Sequence, residues 1–296
     1  MSEPDFQFID AHHHLWDLQA LTYPWLMSRG QKRFFGDPTP IQHNYLPGDF
    51  LSESSRYRPN KSVHIQVGVA PGDEFAETLW LQSQEQIPNA IVAFADLSTE
   101  DLGDKLAQHG QSDRLRGIRQ IIGRHPVEDL QHDTDALLDC PKWLDGLRTL
   151  AQENLSFDLQ LIPPQMERAA AVLAQVPELK VALCHCGSPW DQSPEGIQHW
   201  RAGLRRFAAL PNVYCKVSGL GMFNPNWQTE DLRPFIHDVI EIFGPARVMF
   251  GSNFPVDKLY RSYETLWQAY EDITVDYTVS ERAQMYCQTA QHFYRI

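Results

Sequence analysis

The chain has 296 residues, 43% hydrophobic and 21% charged, the make-up of a soluble globular protein that can bury a large core without staples. Its 25 basic and 38 acidic residues give a net charge of −13, with the acids scattered along the chain. That balance excludes nucleic acid or an anionic membrane surface as the expected partner, yet leaves room for a small-molecule substrate, even an anionic one held by local arginines.

Cys140, Cys184, Cys186, Cys215 and Cys287 form an odd set without framework-like spacing. The opening "MSEPDFQF" lacks the basic and apolar regions of a signal peptide, and no apolar run approaches the roughly 20 residues that span a bilayer. The expectation is a cytoplasmic protein with free thiols. The sequence leaves open a homo-oligomer.

Short β-like runs alternate with longer amphipathic segments in chain order. The strand candidates are "FQFIDA", "KSVHIQVGV", "NAIVAFADL", "RLRGIRQII", "LSFDLQLI", "LKVALCHCG", "NVYCKVSG" and "RVMFGSNF". Helix-like segments such as "DEFAETLWLQSQEQI", "PKWLDGLRTLAQENL", "PPQMERAAAVLAQV" and "EGIQHWRAGLRRFAAL" lie between them, several with an acid or Pro in the first turn. Eight strands alternating with helices predict parallel βαβ units and a single-domain α/β fold over residues 1–296, a (β/α)8 TIM barrel. An open doubly wound sheet is the alternative, weakened because no glycine-rich fingerprint follows the first strand. Leu18 to Leu46 fits neither period and reads as a long loop at the C-terminal face, where such loops are lids or pocket walls.

Alternation along the first strand places Asp10, His12 and His14 on one face and His13 on the other. Two imidazoles at a strand end can share one ion; the alternative for each is a buried histidine bonded to backbone. The same parity applied to "VALCHCGSP" turns His185 into the lumen and Cys184 and Cys186 toward the helices. In "FGSNFPVD", Asn253 ends the last strand and Asp257 follows in the loop; a simple turn aided by Pro255 is the bland alternative. Arg119 and Lys216 are charges in apolar strands, suited either to bind a carboxylate or polarise a carbonyl, or to form a structural ion pair. His64 and Gln66 share a face of the second strand as further wall candidates. Trp16, Trp25 and Trp190 offer an aromatic platform, with core or loop packing as the alternative.

These motifs, "IDAHHHLWD…YPWL", "VHIQVG…AETLWL", "RGIRQII", "SFDLQL", "HCGSPW", "KVSGLGM", "FGSNFPVD" and the closing "FYRI", together resemble the amidohydrolase-related (amidohydrolase 2) TIM-barrel hydrolase family. Sugar-acid lactonases and 2-pyrone-4,6-dicarboxylate lactonase are its best-known members. The resemblance implies a distorted (β/α)8 barrel and a hydrolase that opens a sugar-acid or related carboxylate lactone. His12, His14 and His185 would be its catalytic residues or the ligands of one divalent ion, zinc foremost; family members also act without metal. Asn253 stands where the family's commoner pattern has aspartate, so the resemblance leaves the general base to Asp257 or a histidine. Arg119, Lys216, Gln66 and Trp190 would hold the substrate. A metal-dependent decarboxylase and a non-catalytic sugar-acid-binding barrel are the rival readings.

Overall fold

The computed structural model describes residues 7–129 and 134–296. Eight strands lie in one parallel sheet in chain order, β1 (Ile9–His13), β2 (Lys61–Ile65), β3 (Ala90–Ala93), β4 (Leu115–Ile121), β5 (Ser156–Gln160), β6 (Val181–Leu183), β7 (Val213–Val217) and β8 (Val248–Phe250). Each coincides with one of the eight sequence-predicted runs; Phe6, in the first of those runs, lies outside the described residues. Near-continuous apolar runs form these strands because both faces are covered, by the lumen and by a ring of helices. Just past the strand ends, the Asn253 amide donates to His12 O at 2.7 Å and the His14 amide to Phe254 O at 2.7 Å. Those two bonds draw the ends of β1 and β8 together and make a nearly closed (β/α)8 barrel.

The predicted helices are seen at Glu74–Gln82, Pro141–Gln152, Met166–Leu173 and Pro194–Ala208. Pro141 and Pro194 sit in the first turn, where a missing N–H is harmless, and the Ser193 hydroxyl caps the fourth helix by accepting from Gly196 N. Their apolar faces meet the outward side chains of the strands in one large core holding Trp143, Trp200 and Trp267. No helix among the described residues is long and apolar enough to cross a membrane. All five cysteines are free thiols.

The lumen is filled in layers. Ile9, Ala11, Val63, Ile65, Ala90, Val92, Ala182 and Met249 form the lower layer, and Ala290, Phe293 and Tyr294 of the C-terminal helix Thr289–Tyr294 plug it from below. Above them Lys216 pairs with Asp158 at 2.5 Å and also donates to Ala11 O at 2.9 Å. Tyr294 reaches up to donate its hydroxyl to the same carboxylate, 2.9–3.0 Å from its two oxygens. The motif "FYRI" is thus the barrel's stopper.

Candidate active site

Two departures from regular strand geometry bring the histidines together. The register of β1 on β2 runs Asp10↔Ser62 and then His13↔His64, so β1 advances three residues while β2 advances two. This bulge flips the side-chain parity within β1. Asp10 therefore does not share the face of His12 and His14, as alternation predicted. It lies toward the helix Tyr263–Ile273, where it accepts from Ser252 N at 2.9 Å and Tyr263 OH at 3.0 Å, and burial lifts its pKa to about 6. His12 and His14 turn inward, with ring centroids 5.1 Å apart, and His13 turns outward to pack in a tilted contact on Phe50 at 4.4 Å.

At β6 the expectation is corrected more sharply. The strand ends at Leu183, and Ala182 faces the lumen, so regular alternation would send Cys184 inward and His185 toward the helices. Cys184 does face the lumen charges Arg119, Asp158 and Lys216. His185 joins them because it and Cys186 adopt left-handed backbone at φ 53° and 54°, which re-aims the imidazole into the barrel. Non-glycine residues in this region are strained and cluster at functional sites. Asn253, with φ 56°, is another. The His185 ring lies 4.6 Å from that of His12, and its Nδ1 bonds Ser218 Oγ at 3.0 Å. Gly219 and Gly251 make this possible: a Cβ on Gly219 would stand 2.5 Å from His185 Nδ1, and one on Gly251 2.6 Å from His12 Cβ.

Over these residues opens a cavity of about 400 Å³ whose wall includes His14, His185, Asn253, Arg119 and Gln66. The loop predicted from Leu18 to Leu46 supplies Trp25, Arg33, Phe34 and Phe35. It is pinned by the bidentate Arg33–Glu128 pair at 2.7 Å, by Phe34 stacked on His125 at 5.4 Å, and by Tyr260 OH donating to Phe35 O at 2.7 Å.

Other predicted residues stand back from the wall. His12 is fully buried behind His14 and His185. Lys216 is fully buried in its pair with Asp158, which is the structural ion pair left open by the sequence rather than a substrate contact. Trp190 packs edge-on to His125 at 5.4 Å, behind Phe34, and does not line the cavity. Asp257 is buried behind Asn253, so the loop does not turn it inward as a base. His64 does not share a face with Gln66: Val63 and Ile65 occupy the lumen layer, and His64 accepts from Leu15 N at 3.1 Å. Of the tryptophans, Trp25 alone lines the cavity.

Sequence reasoning missed Gln160, Asp158 and Arg124. The first two carried a signal, since "SFDLQ" alternates polar and apolar residues and puts Ser156, Asp158 and Gln160 on one face. Arg124 follows β4 in a loop, where periodicity has nothing to say.

Asn253 bridges His14 and Asp257, with Oδ1 3.2 Å from His14 Nε2 and Nδ2 2.6 Å from Asp257 Oδ2. His14 Nδ1 donates to Ile65 O at 2.8 Å, so with the amide in this sense His14 donates from both nitrogens and is a cation beside a carboxylate. Turning the amide over gives neutral His14, an amide N–H donating to it, and a protonated Asp257 donating to the amide oxygen. Both arrangements hold the same protons. Burial, the leading cause at each end, lowers His14 to about 4 and raises Asp257 to about 7, which favours the uncharged row. Burial likewise pushes His12 and His185 well below the usual histidine value, with neighbouring cationic and histidine groups adding to it.

A nearly closed eight-stranded barrel with histidines and an arginine converging at the C-terminal strand ends is a TIM barrel with its polar cluster where enzymes of this fold carry their active sites. The amidohydrolase family model matches residues 9–296, and the chain belongs to that family. It is 40% identical over 296 residues to the uncharacterized protein y4mH of Sinorhizobium fredii, covering 99% of each chain. It is 30% identical over 267 residues to an L-fucono-1,5-lactonase of Burkholderia multivorans, covering 86% of this chain and 84% of that one. Among solved structures, an amidohydrolase from Burkholderia multivorans with bound zinc superposes with a TM-score of 0.85 at 26% identity, over 98% of this chain and 100% of that one.

The donors here suit an ion in chemistry: three neutral imidazoles, with both ring nitrogens of His12 buried and without a hydrogen-bond partner. Their arrangement does not. Among the described residues no group of three His, Cys, Asp or Glu side chains is placed to hold a metal, and the polar group beside His14 Nε2 is the neutral amide of Asn253. No chemical step below runs through an ion.

Proposed function

We propose that the protein opens a lactone, a small-molecule substrate, by adding water across its ring ester. The observation that carries this reading is the cavity floor, where a neutral imidazole and a guanidinium face the same space. His185 Nδ1 pairs with Ser218 Oγ, and in the tautomer that donates from Nδ1 to that hydroxyl the lone pair of Nε2 is free for the cavity. That nitrogen accepts a proton from water as the water oxygen attacks the lactone carbonyl. Arg119 stands ready for the developing oxyanion; its guanidinium is anchored to Gln66 O at 3.3 Å and to the Gln160 side chain, and its Nε is buried without a partner. Collapse of the tetrahedral intermediate breaks the bond to the ring oxygen, which takes the proton back from His185. The product is the open hydroxy acid, and its ionisation releases one proton. The relatives named as L-fucono- and L-rhamnono-lactonases support the reaction class.

Proton release from a panel of five- and six-membered sugar-acid lactones tests the reading, with the protein as purified, after chelation, and after zinc is restored. Turnover of any member supports it, and the chelated sample shows whether an ion takes part. Silence of well-folded protein in all three states would sink it.

A further inference from the structure

The groups that can serve an ester lie at the cavity floor, and the wall beside them is hydrocarbon. Arg119 and Ile121 stand two residues apart on β4 and face the lumen together. Phe94 continues the neighbouring strand β3, whose Ala93 pairs with Ile118. That register sets Phe94 level with Arg119, and Ile121 follows two residues further toward the strand's C-terminal end. Phe94 and Ile121 are half-buried, both line the cavity, and among the described residues neither packs into a hydrophobic core. Large apolar side chains placed so leave surface that only a ligand can take out of water. Polar groups elsewhere in the wall are engaged. Trp25 donates Nε1 to Val67 O at 2.7 Å, and the Arg33 fork closes on Glu128. Arg124 has Glu128 and Asp129 for counter-charge, and Glu74 accepts from Gly72 N at 2.9 Å.

We propose that Phe94 and Ile121 are specificity residues that receive a hydrocarbon substituent on the ring being opened. The protein then prefers alkyl-substituted lactones to the hydroxylated ones named for its L-fucono- and L-rhamnono-lactonase relatives, which remain slower substrates. With the carbonyl at Arg119, the substituent lies against Phe94 and Ile121. A hydroxyl in that place gives up water and meets carbon, whereas each CH2 leaving water gains about fourfold in binding. The cavity, about 400 Å³, is in the range that holds more than a bare small ring. The lactone half of this statement rests on the proposed function; the apolar subsite does not.

The test compares γ-hexalactone, which carries an ethyl group, with γ-(hydroxymethyl)butyrolactone, in which a hydroxyl replaces the terminal methyl. The matching ethyl and hydroxymethyl cyclopentanones have no ester to open and are followed by thermal shift. The ethyl lactone is expected to show kcat/KM about 10- to 100-fold above the hydroxymethyl lactone. Phe94→Asn, which sets an amide in the wall, should cut that preference about 10-fold, and Phe94→Leu should keep it. Ile121→Thr should act in the same direction as Phe94→Asn. Equal turnover of the two lactones, or a preference undiminished in both Phe94→Asn and Ile121→Thr, overturns the subsite while leaving lactone hydrolysis standing. If neither lactone is opened, stabilisation by the ethyl ketone alone, lost in Phe94→Asn, upholds the subsite and tells against the lactonase reading. Equal or absent stabilisation by both ketones then overturns the subsite too.

Discussion

The amide of Asn253 lies 2.6 Å from the carboxyl of Asp257, and the pairing sets that carboxyl behind the cavity wall instead of in it. Asp257 is therefore a positioning residue that holds Asn253 against His14. Asp257→Ala should lower kcat about 10- to 100-fold with little change in KM, the size of effect seen when a group orienting a site residue is lost. Asp257→Asn, which can still bond the Asn253 amide, should retain most activity. Steady-state kinetics on both variants checks this; a base acting directly on water would fail in both alike.

Gly251 touches His12 so closely that a methyl group would stand 2.6 Å from its Cβ and 2.7 Å from its backbone nitrogen. Gly251→Ala should cost about 1–3 kcal/mol, read by denaturant unfolding, because backbone on both sides must give way. Gly103, with nothing within 4 Å of a built Cβ in the helix Leu102–His109, is the control. Gly103→Ala should be neutral or stabilise by up to about 1 kcal/mol.

The contrast between β1 and β6 shows how far the sequence could be read. All eight strands were legible, since each is a short apolar run bounded by turn residues. The site residues His14, His185, Asn253, Arg119 and Gln66 were legible as polar groups at strand ends. Direction was not. Alternation assumes a regular pleat, and the bulge in β1 and the left-handed backbone at His185 break it at the very places where side chains are re-aimed. The errors over Asp10 and Cys184 have that one cause. Lys216 was legible as an unusual charge, but choosing between substrate and ion pair needed Asp158, which lies 58 residues earlier in the chain.

Beneath the site, Lys216 and Asp158 are buried together with Tyr294 as their third member. Lys216→Met leaves a buried carboxylate without its counter-charge and should cost about 3–5 kcal/mol. Adding Asp158→Asn should recover a large part of that loss, since the isolated charge is gone. Tyr294→Phe removes one hydroxyl donor and should cost about 1–3 kcal/mol. Denaturant midpoints for the three variants decide this; additive losses in the double variant would show that the pair is not coupled.

Glu77 lies buried behind the cavity and accepts from Val67 N at 3.2 Å, and burial raises its pKa from the ordinary 4.5 to about 8. A carboxyl that binds its proton more tightly in the folded chain stabilises the fold fully below pH 4.5 and loses that contribution as the pH rises to about 8. Glu77→Gln should match the wild type near pH 4.5 and exceed it in stability at pH 8. Unfolding midpoints across that window check the sign, and parallel curves for the two proteins would refute it.

The central claim, that His185 draws the proton from water that opens a lactone, is tested most directly by proton release from an opened lactone with wild type and His185→Gln side by side. The account predicts turnover by the wild type and a fall of about 10²- to 10⁴-fold in the variant, with its circular dichroism unchanged. Turnover by His185→Gln at the wild-type rate would contradict it.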